Sequence, residues 1–207
     1  ENRSVDNRPA GIEFKLGYIG NFVPVKLDNV FGKAQAYAAA AAAAVGLIFG
    51  VNLVKISEAL RSYRPAAGRM ELLPGVKSTY IIDDSYNASP LSMHAALDTL
   101  KGLPAKRRVA VLGDMLEIGE YTMEAHEYIG RIASQIADVL VTVGPRAKFI
   151  AKAAREEGMA KRNILSFDLA EEAQLPVQNL IKREDLILIK GSRAMHLEKI
   201  VEEIREF

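Results

Sequence analysis

The feature that most constrains the fold of this chain is an alternation of strands and helices that begins near residue 70. Five short apolar runs have the length and composition of buried strands; they are residues 80–83, 109–112, 139–143, 164–167 and 186–189. Between the first two, Met93, Ala96, Leu97 and Leu100 recur at helical spacing. This alternation predicts an α/β, Rossmann-like fold, in which a mainly parallel sheet carries helices on both faces.

Apolar stripes predict further helices in the same part of the chain. The stripes are Ile129, Ile132, Ala133 and Ile136; Ala147, Ile150, Ala151 and Ala154; and Leu197, Ile200, Val201 and Ile204. Another helix is expected over residues 170–182, with Asp168 and Glu171 at capping-box spacing and Pro176 as a point of interruption or delay.

The first 67 residues have a different pattern. Residues 1–10 are polar and aperiodic, which predicts a loop or a frayed end, whereas residues 11–30 alternate and predict a β-hairpin. Residues 34–49 predict an alanine-rich helix, and Asn52 is expected to cap a second helix that Pro65 stops. The small residues at 66–69 suggest a boundary between two domains, 1–67 and 68–207. Because so small a sheet is unstable alone, we expect the chain to be a fragment of a longer protein.

Composition excludes several classes of function. The 207 residues carry 27 Lys and Arg against 26 Asp and Glu, a formal net charge of +1, so nothing favours a nucleic-acid partner. Cysteine is absent, which excludes disulfides and thiolate zinc sites. No signal peptide is evident, and the longest uncharged run, residues 34–54, is too weakly apolar for a membrane span.

Polar turns follow several predicted strands, and in a parallel sheet they lie along one edge, where ligands bind. The loop at 83–90 holds two carboxylates, of which one is expected to face the site and could bind Mg²⁺ or ribose hydroxyls. The turn at 190–193 combines Lys190, Ser192 and Arg193 ahead of a predicted helix, which suits an anion. For the loop at 83–90 the competing interpretation is a polar loop that only turns the chain, and for the turn at 190–193 it is a helix start with two solvated cations.

Other candidate site residues are weaker. Asp114 and Glu117 could be site carboxylates, but first-turn charges at a helix N-terminus are the favoured interpretation. The three histidines show no metal-ligand spacing, and no metal site is predicted. Neither a G-x-G-x-x-G turn after a strand nor a G-x-x-x-x-G-K-[ST] loop occurs.

Four motifs, in order, resemble those of the Mur ligase family, specifically its MurF type. They are G-R-M-E at 68–71, D-D-S-Y-N-A-S-P-L-S-M at 83–93, L-G-D-M-L-E-I-G at 112–119 and K-G-S-R at 190–193. The resemblance implies a cytoplasmic, ATP-dependent peptide ligase of peptidoglycan synthesis, which joins D-Ala-D-Ala to UDP-MurNAc-tripeptide through an acyl phosphate. It also implies that residues 1–67 end the central ATPase domain and that residues 68–207 form the C-terminal domain.

The resemblance also implies roles for individual residues. Arg69 and Asp84 would bind the nucleotide, whereas Ser85, Tyr86 and Asn87 would line the cleft, and Lys190, Ser192 and Arg193 would position the dipeptide. No catalytic residue is expected here, because the family's phosphate-binding loop, its Mg²⁺-binding residues and its modified lysine lie upstream. Ala34 and Gln35 stand where family members usually have a His-Asn pair, so adenine contacts from this region are not carried over.

Two alternatives to this function remain open from the sequence. One is a stand-alone α/β module that binds a nucleotide or a peptide. The other is a related amide ligase, such as folylpolyglutamate synthase or cyanophycin synthetase, because the acceptor cannot be read from these residues. The sequence makes no prediction of the oligomeric state.

Overall fold

The computed structural model describes residues 1–206. It begins with a three-stranded antiparallel sheet in the order β1 (Asn2–Val5), β2 (Arg8–Tyr18) and β3 (Asn21–Asp28). Two helices follow, α1 (Lys33–Ile48) and α2 (Leu53–Leu60). The Asn52 side chain accepts a hydrogen bond of 3.0 Å from the Lys55 backbone N–H, which confirms its predicted role as the cap of α2.

The rest of the chain builds a six-stranded sheet. Its strands are β4 (Glu71–Gly75), β5 (Thr79–Asp84), β6 (Arg107–Gly113), β7 (Val139–Val143), β8 (Ile164–Phe167) and β9 (Asp185–Lys190). Their order is β4–β5–β9–β6–β7–β8, and every pair is parallel except β4 with β5. The five predicted strands and the mainly parallel sheet are confirmed.

Helices cover both faces of this sheet. They are α3 (Pro90–Gly102), α4 (Thr122–Ile136), α5 (Ala147–Glu156), α6 (Ala170–Leu180) and α7 (Glu198–Ile204). Buried side chains of α3, α4 and α5 share one core with Ile82, whereas those of α6 and α7 share another with Ile81. Adjacent strand residues therefore feed opposite cores, as the alternation of a strand requires.

Strands β2 and β3 and the residues that follow them join the core on the α3 face. Val25, Leu27 and Phe31 are fully buried and belong to the same cluster as Met93 and Leu97 of α3. A backbone hydrogen bond also joins the two parts of the chain, because the Leu72 N–H donates to the Asn29 carbonyl at 2.9 Å. Both parts of the chain are thus held against each other where residues 29–31 meet residues 70–72, at the start of β4.

Two expectations about the first 67 residues are wrong. Residues 1–10 are not a loop, because β1 and the start of β2 pair there. The strand has no apolar alternation to reveal it, since it lies at an exposed edge where Arg3 forms an ion pair with Asp28. Helix α2 ends at Leu60, ahead of Pro65, and the chain then leaves in turns that bring Tyr63 back to α1.

Helix α6 also differs from the expectation. It runs through Pro176 without a break, because Gln174 and Gln178 donate to carbonyls of α7 and Ala173 and Val177 are buried against it. Tertiary packing here overrides the cost of a missing backbone donor. The carboxylate that caps its N-terminus belongs to Glu172 and not to Glu171. Glu172 accepts from the Asp168 and Leu169 N–H groups.

Strand β4, at the antiparallel edge of the sheet, was not predicted. Within residues 1–206, no helix combines the length and the apolar character needed to cross a membrane.

Candidate functional site

A cleft of about 680 Å³ lies at the carboxyl ends of β5 and β9. Its walls are the start of α1, the segment at 68–70 and the loop that leads from β5 into α3. They are formed by Gly32, Lys33, Ala34, Gln35, Tyr37, Gly68, Arg69, Met70, Asp84, Tyr86, Asn87, Ala88, Ser89, Leu91, Ser92, Ala95, Ala96, Thr99 and Lys190. This is the edge at which open α/β sheets bind ligands. Five of the eight predicted site residues line it: Arg69, Asp84, Tyr86, Asn87 and Lys190.

A buried ion pair forms the floor of the cleft. Asp84 and Lys190 are register partners on the adjacent parallel strands β5 and β9. The Lys190 Nζ donates to Asp84 Oδ2 at 2.6 Å and to the Asn87 carbonyl at 2.8 Å, and the residue is only 2% exposed. Burial raises the pKa of the Asp84 carboxyl, and the neighbouring ammonium partly offsets that rise.

Asp83 points away from the cleft, on the opposite face of β5. Its Oδ1 accepts from the Ser85 N–H at 3.0 Å, and burial raises the pKa of its carboxyl. The expectation that only one of the two aspartates would face the site is confirmed. Ser85 is also buried and lines no part of the cleft.

Two guanidinium groups approach the exposed ring of Tyr86. Arg69 lies over the ring with its Cζ 4.1 Å from the centroid, and the Arg193 Cζ lies at 5.6 Å. Such contacts stabilise a cation against an aromatic face. Arg193 does not line the cleft itself, but its guanidinium lies close to the ring that does.

The segment that carries Arg69 is held tightly. The Tyr86 N–H donates to the Gly68 carbonyl at 3.0 Å, and the Met70 N–H donates to Asp84 Oδ1 at 3.1 Å. Gly68 has a φ of +72°, and a Cβ there would lie 3.0 Å from the Tyr86 nitrogen, so glycine fits where other residues are strained.

Helix α3 presents its N-terminus to the cleft. Ser89 caps it by accepting from the Ser92 N–H at 3.3 Å, the Ser92 hydroxyl accepts from the Ser89 N–H at 2.9 Å, and Pro90 takes the first helical position. This confirms the predicted cap. Together with Lys33 and Arg69, which form no ion pair within residues 1–206, the helix end makes this side of the cleft favourable for an anion.

The turn at 190–193 differs from the expectation. The predicted helix is present as α7, but it begins only at Glu198, because a short 3₁₀ turn, Arg193–Met195, intervenes. Ser192 is buried: its hydroxyl accepts from the Leu116 N–H at 2.8 Å, and its own N–H donates to the Asp114 carbonyl at 2.9 Å. Its polar groups therefore bind neighbouring loops.

Asp114 and His126 organise those loops. Asp114 Oδ1 accepts from the Ala147 N–H at 2.6 Å, at the start of α5. His126 Nε2 accepts from the Met115 N–H at 2.9 Å, and its Nδ1 lies 2.6 Å from the Thr122 carbonyl, so the proton is on Nδ1. Burial lowers the pKa of this imidazole. Glu117 is exposed.

Sequence reasoning missed the part of the site that α1 supplies. Gln35 donates from Nε2 to the Arg69 carbonyl at 3.0 Å, and it accepts from the Tyr63 hydroxyl at 2.6 Å. The available signal was a polar residue on the buried side of an alanine-rich helix. Within residues 1–206, no three metal-ligating side chains come together.

Comparisons with known proteins agree on one family. Residues 68–193 match the family model described as Mur ligase, glutamate ligase domain. The UDP-N-acetylmuramoyl-tripeptide–D-alanyl-D-alanine ligase of Bacillus subtilis is 32% identical over 208 residues, which cover 99% of this chain and 44% of that protein.

Solved structures show the same similarity. A crystal structure of MurF from Acinetobacter baumannii superposes with a TM-score of 0.81 at 30% identity, over 92% of this chain and 42% of that one. The MurF ligase from Thermotoga maritima, solved in complex with ADP, has a TM-score of 0.77 at 22% identity, over 98% and 44%. The chain therefore spans less than half of the length of each protein that it matches here.

Proposed function

The chain belongs to the Mur ligase family, and on that premise we propose that it is the C-terminal part of a MurF-type ligase. Residues 1–67 would end the central ATPase domain, and residues 68–207 would form the C-terminal domain. The observation that carries this proposal is the cleft of about 680 Å³, whose walls come from both segments and meet at Arg69.

The reaction that we propose is amide-bond formation driven by ATP. The carboxylate of UDP-MurNAc-tripeptide attacks the γ-phosphorus of ATP, which gives an acyl phosphate and ADP. The amine of D-Ala-D-Ala then attacks the acyl carbon, and inorganic phosphate leaves. A site between two segments suits this chemistry, because holding the amine against the acyl phosphate supplies a large part of the rate enhancement.

The nucleotide side of the cleft would be the wall that carries Arg69. Its guanidinium is exposed and forms no ion pair within residues 1–206, so it is free to bind phosphate or ribose oxygens. Asp84 lies beside it with one hydrogen bond to each oxygen, and the remaining lone pairs can accept ribose hydroxyls.

The dipeptide side would be formed by Tyr86, Asn87 and Arg193. Arg193 is exposed and lies next to the Tyr86 ring. Its guanidinium lies 4.0 Å from the Glu198 carboxylate, a long ion pair that leaves N–H donors for a ligand carboxylate. Ser85, Ser192 and Lys190 are buried and bonded to neighbouring groups, so they would support these residues from behind.

Mg²⁺ is expected to accompany ATP, but the described residues do not fit a metal site. They bring no three metal-ligating side chains together, and the Asp84 carboxylate is already paired with an ammonium. We propose that residues of the full ligase outside this chain hold the metal. An enzyme that uses ATP and a UDP-linked sugar would work in the cytoplasm. Of the related amide ligases, the MurF type is favoured because the matched relatives carry that name.

A chimera tests the proposal. The matching C-terminal part of the Bacillus subtilis ligase is replaced by this chain, and phosphate release is measured with ATP, UDP-MurNAc-tripeptide and D-Ala-D-Ala. We expect release that depends on the dipeptide, and a fall of at least tenfold in the Arg69→Ala chimera. The surface variant Lys161→Ala, on a 3₁₀ turn outside the cleft, is the control. A folded chimera that ligates L-glutamate in place of the dipeptide would overturn the proposed acceptor.

A further inference from the structure

The Lys190 ammonium is not available to a ligand. It is buried to 98%, and its two hydrogen bonds reach a carboxylate oxygen and a main-chain carbonyl of the 84–90 loop. Burying an ammonium is unfavourable unless it is paired and hydrogen-bonded, so these bonds determine where the loop must lie. The cation acts on the site through the groups that it holds.

Asp84 transmits this constraint to the segment at 68–70. Its Oδ2 accepts from Lys190, and its Oδ1 accepts from the Met70 N–H at 3.1 Å. A carboxylate fixed at one oxygen has little freedom to rotate away from the donor at the other. Two hydrogen bonds, from Lys190 to Asp84 and from Met70 to Asp84, therefore fix the segment that carries Arg69 to the sheet.

Residues of the first 67 also form hydrogen bonds to this segment. Gln35 donates to the Arg69 carbonyl at 3.0 Å and is itself held by the Tyr63 hydroxyl. The Phe31 N–H donates to the Met70 carbonyl at 3.1 Å. Residues 68–70 are thus held between two sets of donors and acceptors, one from each part of the chain.

We infer that Lys190 is a positioning residue: through Asp84 it fixes residues 68–70, so that the Arg69 side chain faces the cleft. This inference rests on the proposed function only in its second step, the binding of a nucleotide at Arg69. It assigns to Lys190 no contact with substrate, and it makes Met70 the residue whose backbone reports on the ion pair.

Amide hydrogen exchange measured by NMR on this 207-residue chain tests the first step without any ligand. In Lys190→Met, we expect the Met70 amide to exchange at least tenfold faster than in the unaltered chain. The matched control is Arg107→Met, which breaks another buried ion pair, to Asp185 at the other end of β9. There the Met70 amide should keep its exchange rate within about twofold, under conditions where both variants are folded. Equal Met70 exchange in the unaltered chain and in Lys190→Met would overturn the inference.

A double variant keeps the test decisive if Lys190→Met does not fold. Lys190→Met with Asp84→Asn leaves no unpaired charge in the interior and keeps an oxygen that can accept from Met70. Because that oxygen is no longer anchored, the Met70 amide should still exchange several-fold faster. An unchanged rate in the double variant would contradict the role of Lys190.

Titration with MgADP tests the second step. We expect the dissociation constant to rise at least tenfold in Lys190→Met and to stay unchanged in Arg107→Met. Faster Met70 exchange with unchanged MgADP affinity would show that Lys190 does not position Arg69 for a nucleotide. If the unaltered chain binds no MgADP, that result counts against the proposed nucleotide site, and the exchange rates alone decide whether Lys190 holds residues 68–70.

Discussion

Strand β9 carries a buried ion pair at each end, and the two pairs differ in what surrounds them. At the amino end, Arg107 donates from Nε to Asp185 Oδ1 at 2.9 Å and from Nη2 to Oδ2 at 2.5 Å, and it also reaches the Leu180 carbonyl. Neither residue lines the cleft. At the carboxyl end, Lys190 and Asp84 form the cleft floor. A buried ion pair thus stabilises the fold at the amino end of β9 and forms part of the cleft at its carboxyl end.

The largest expected effect separates these two roles. Removing the cation from either pair leaves a buried carboxylate without its partner, so Arg107→Met and Lys190→Met should each lower the free energy of unfolding by about 3–5 kcal/mol. Urea unfolding measures this loss. MgADP affinity then distinguishes the pairs, since only Lys190→Met should weaken it. If Arg107→Met also weakened MgADP binding, the two ion pairs would not differ in their roles.

A smaller effect is expected at the segment held by the carboxyl-end pair. Gly68→Ala forces a residue with a side chain into a left-handed conformation, which costs about 1–2 kcal/mol. It also places a Cβ 3.0 Å from the Tyr86 nitrogen. The control is Gly50→Ala, because Gly50 has a similar φ of +78° and open space around its Cβ position. Gly68→Ala should therefore be the more destabilising variant in urea unfolding, and equal losses would argue against the close approach of Tyr86.

Acid should lower the free energy of unfolding through protonation of His126. Burial lowers the pKa of this imidazole below its usual 6.5, so the unfolded chain takes up a proton first as the pH falls. The stabilising contribution is fully present above about pH 6.5 and is lost as the pH falls through the folded pKa, at no more than about 1.4 kcal/mol per pH unit.

The measurement is the urea midpoint between pH 7.5 and pH 5.5, compared with that of His126→Gln. The glutamine can still accept from Met115 but does not titrate, so its midpoint should fall less over this range. Asp83 and Asp84, whose raised pKa values act in the opposite direction, are common to both proteins and cancel in the comparison. Parallel pH profiles would show that His126 does not titrate differently in the folded chain.

The smallest effect is expected at the ring of Tyr86. Tyr86→Leu removes the aromatic face under Arg69 and should weaken MgADP binding about two- to fivefold, which corresponds to about 0.5–1 kcal/mol. Tyr86→Phe keeps the face and should bind nearly as the unaltered chain does. If both variants lose affinity equally, the hydroxyl rather than the ring matters.

The contrast between the two ends of β9 also shows what the sequence could reveal. The five parallel strands were predictable because their apolar runs are local, and the carboxyl edge was predictable because parallel strands gather their ends there. The pairing of Asp84 with Lys190 was not, since it requires that β9 lie next to β5 although 106 residues separate the two side chains. Motifs marked both residues as important without showing that they bind each other.

Other features escaped the sequence for related reasons. The exposed edge strand β1 has no apolar alternation, because little of it is buried. Gln35 differed from the pattern usual in the family, and only the fold shows that it supports the Arg69 carbonyl. Ser192 looked suited to an anion, whereas its partners, Leu116 and Asp114, come from the end of a neighbouring strand. For Gln35 and Ser192 the deciding contact is between residues far apart in the chain.

We propose above all that ligands bind at the carboxyl ends of the parallel strands, around Asp84 and Lys190, and not at their amino ends, around Arg107 and Asp185. Chemical-shift mapping by NMR, with MgADP and then D-Ala-D-Ala added to this chain, tests it most directly. We expect saturable shifts confined to residues 32–37, 68–70, 84–92 and 190–193. Saturable shifts that cluster instead around Arg107 and Asp185, or the absence of saturable shifts from the cleft residues, would contradict it.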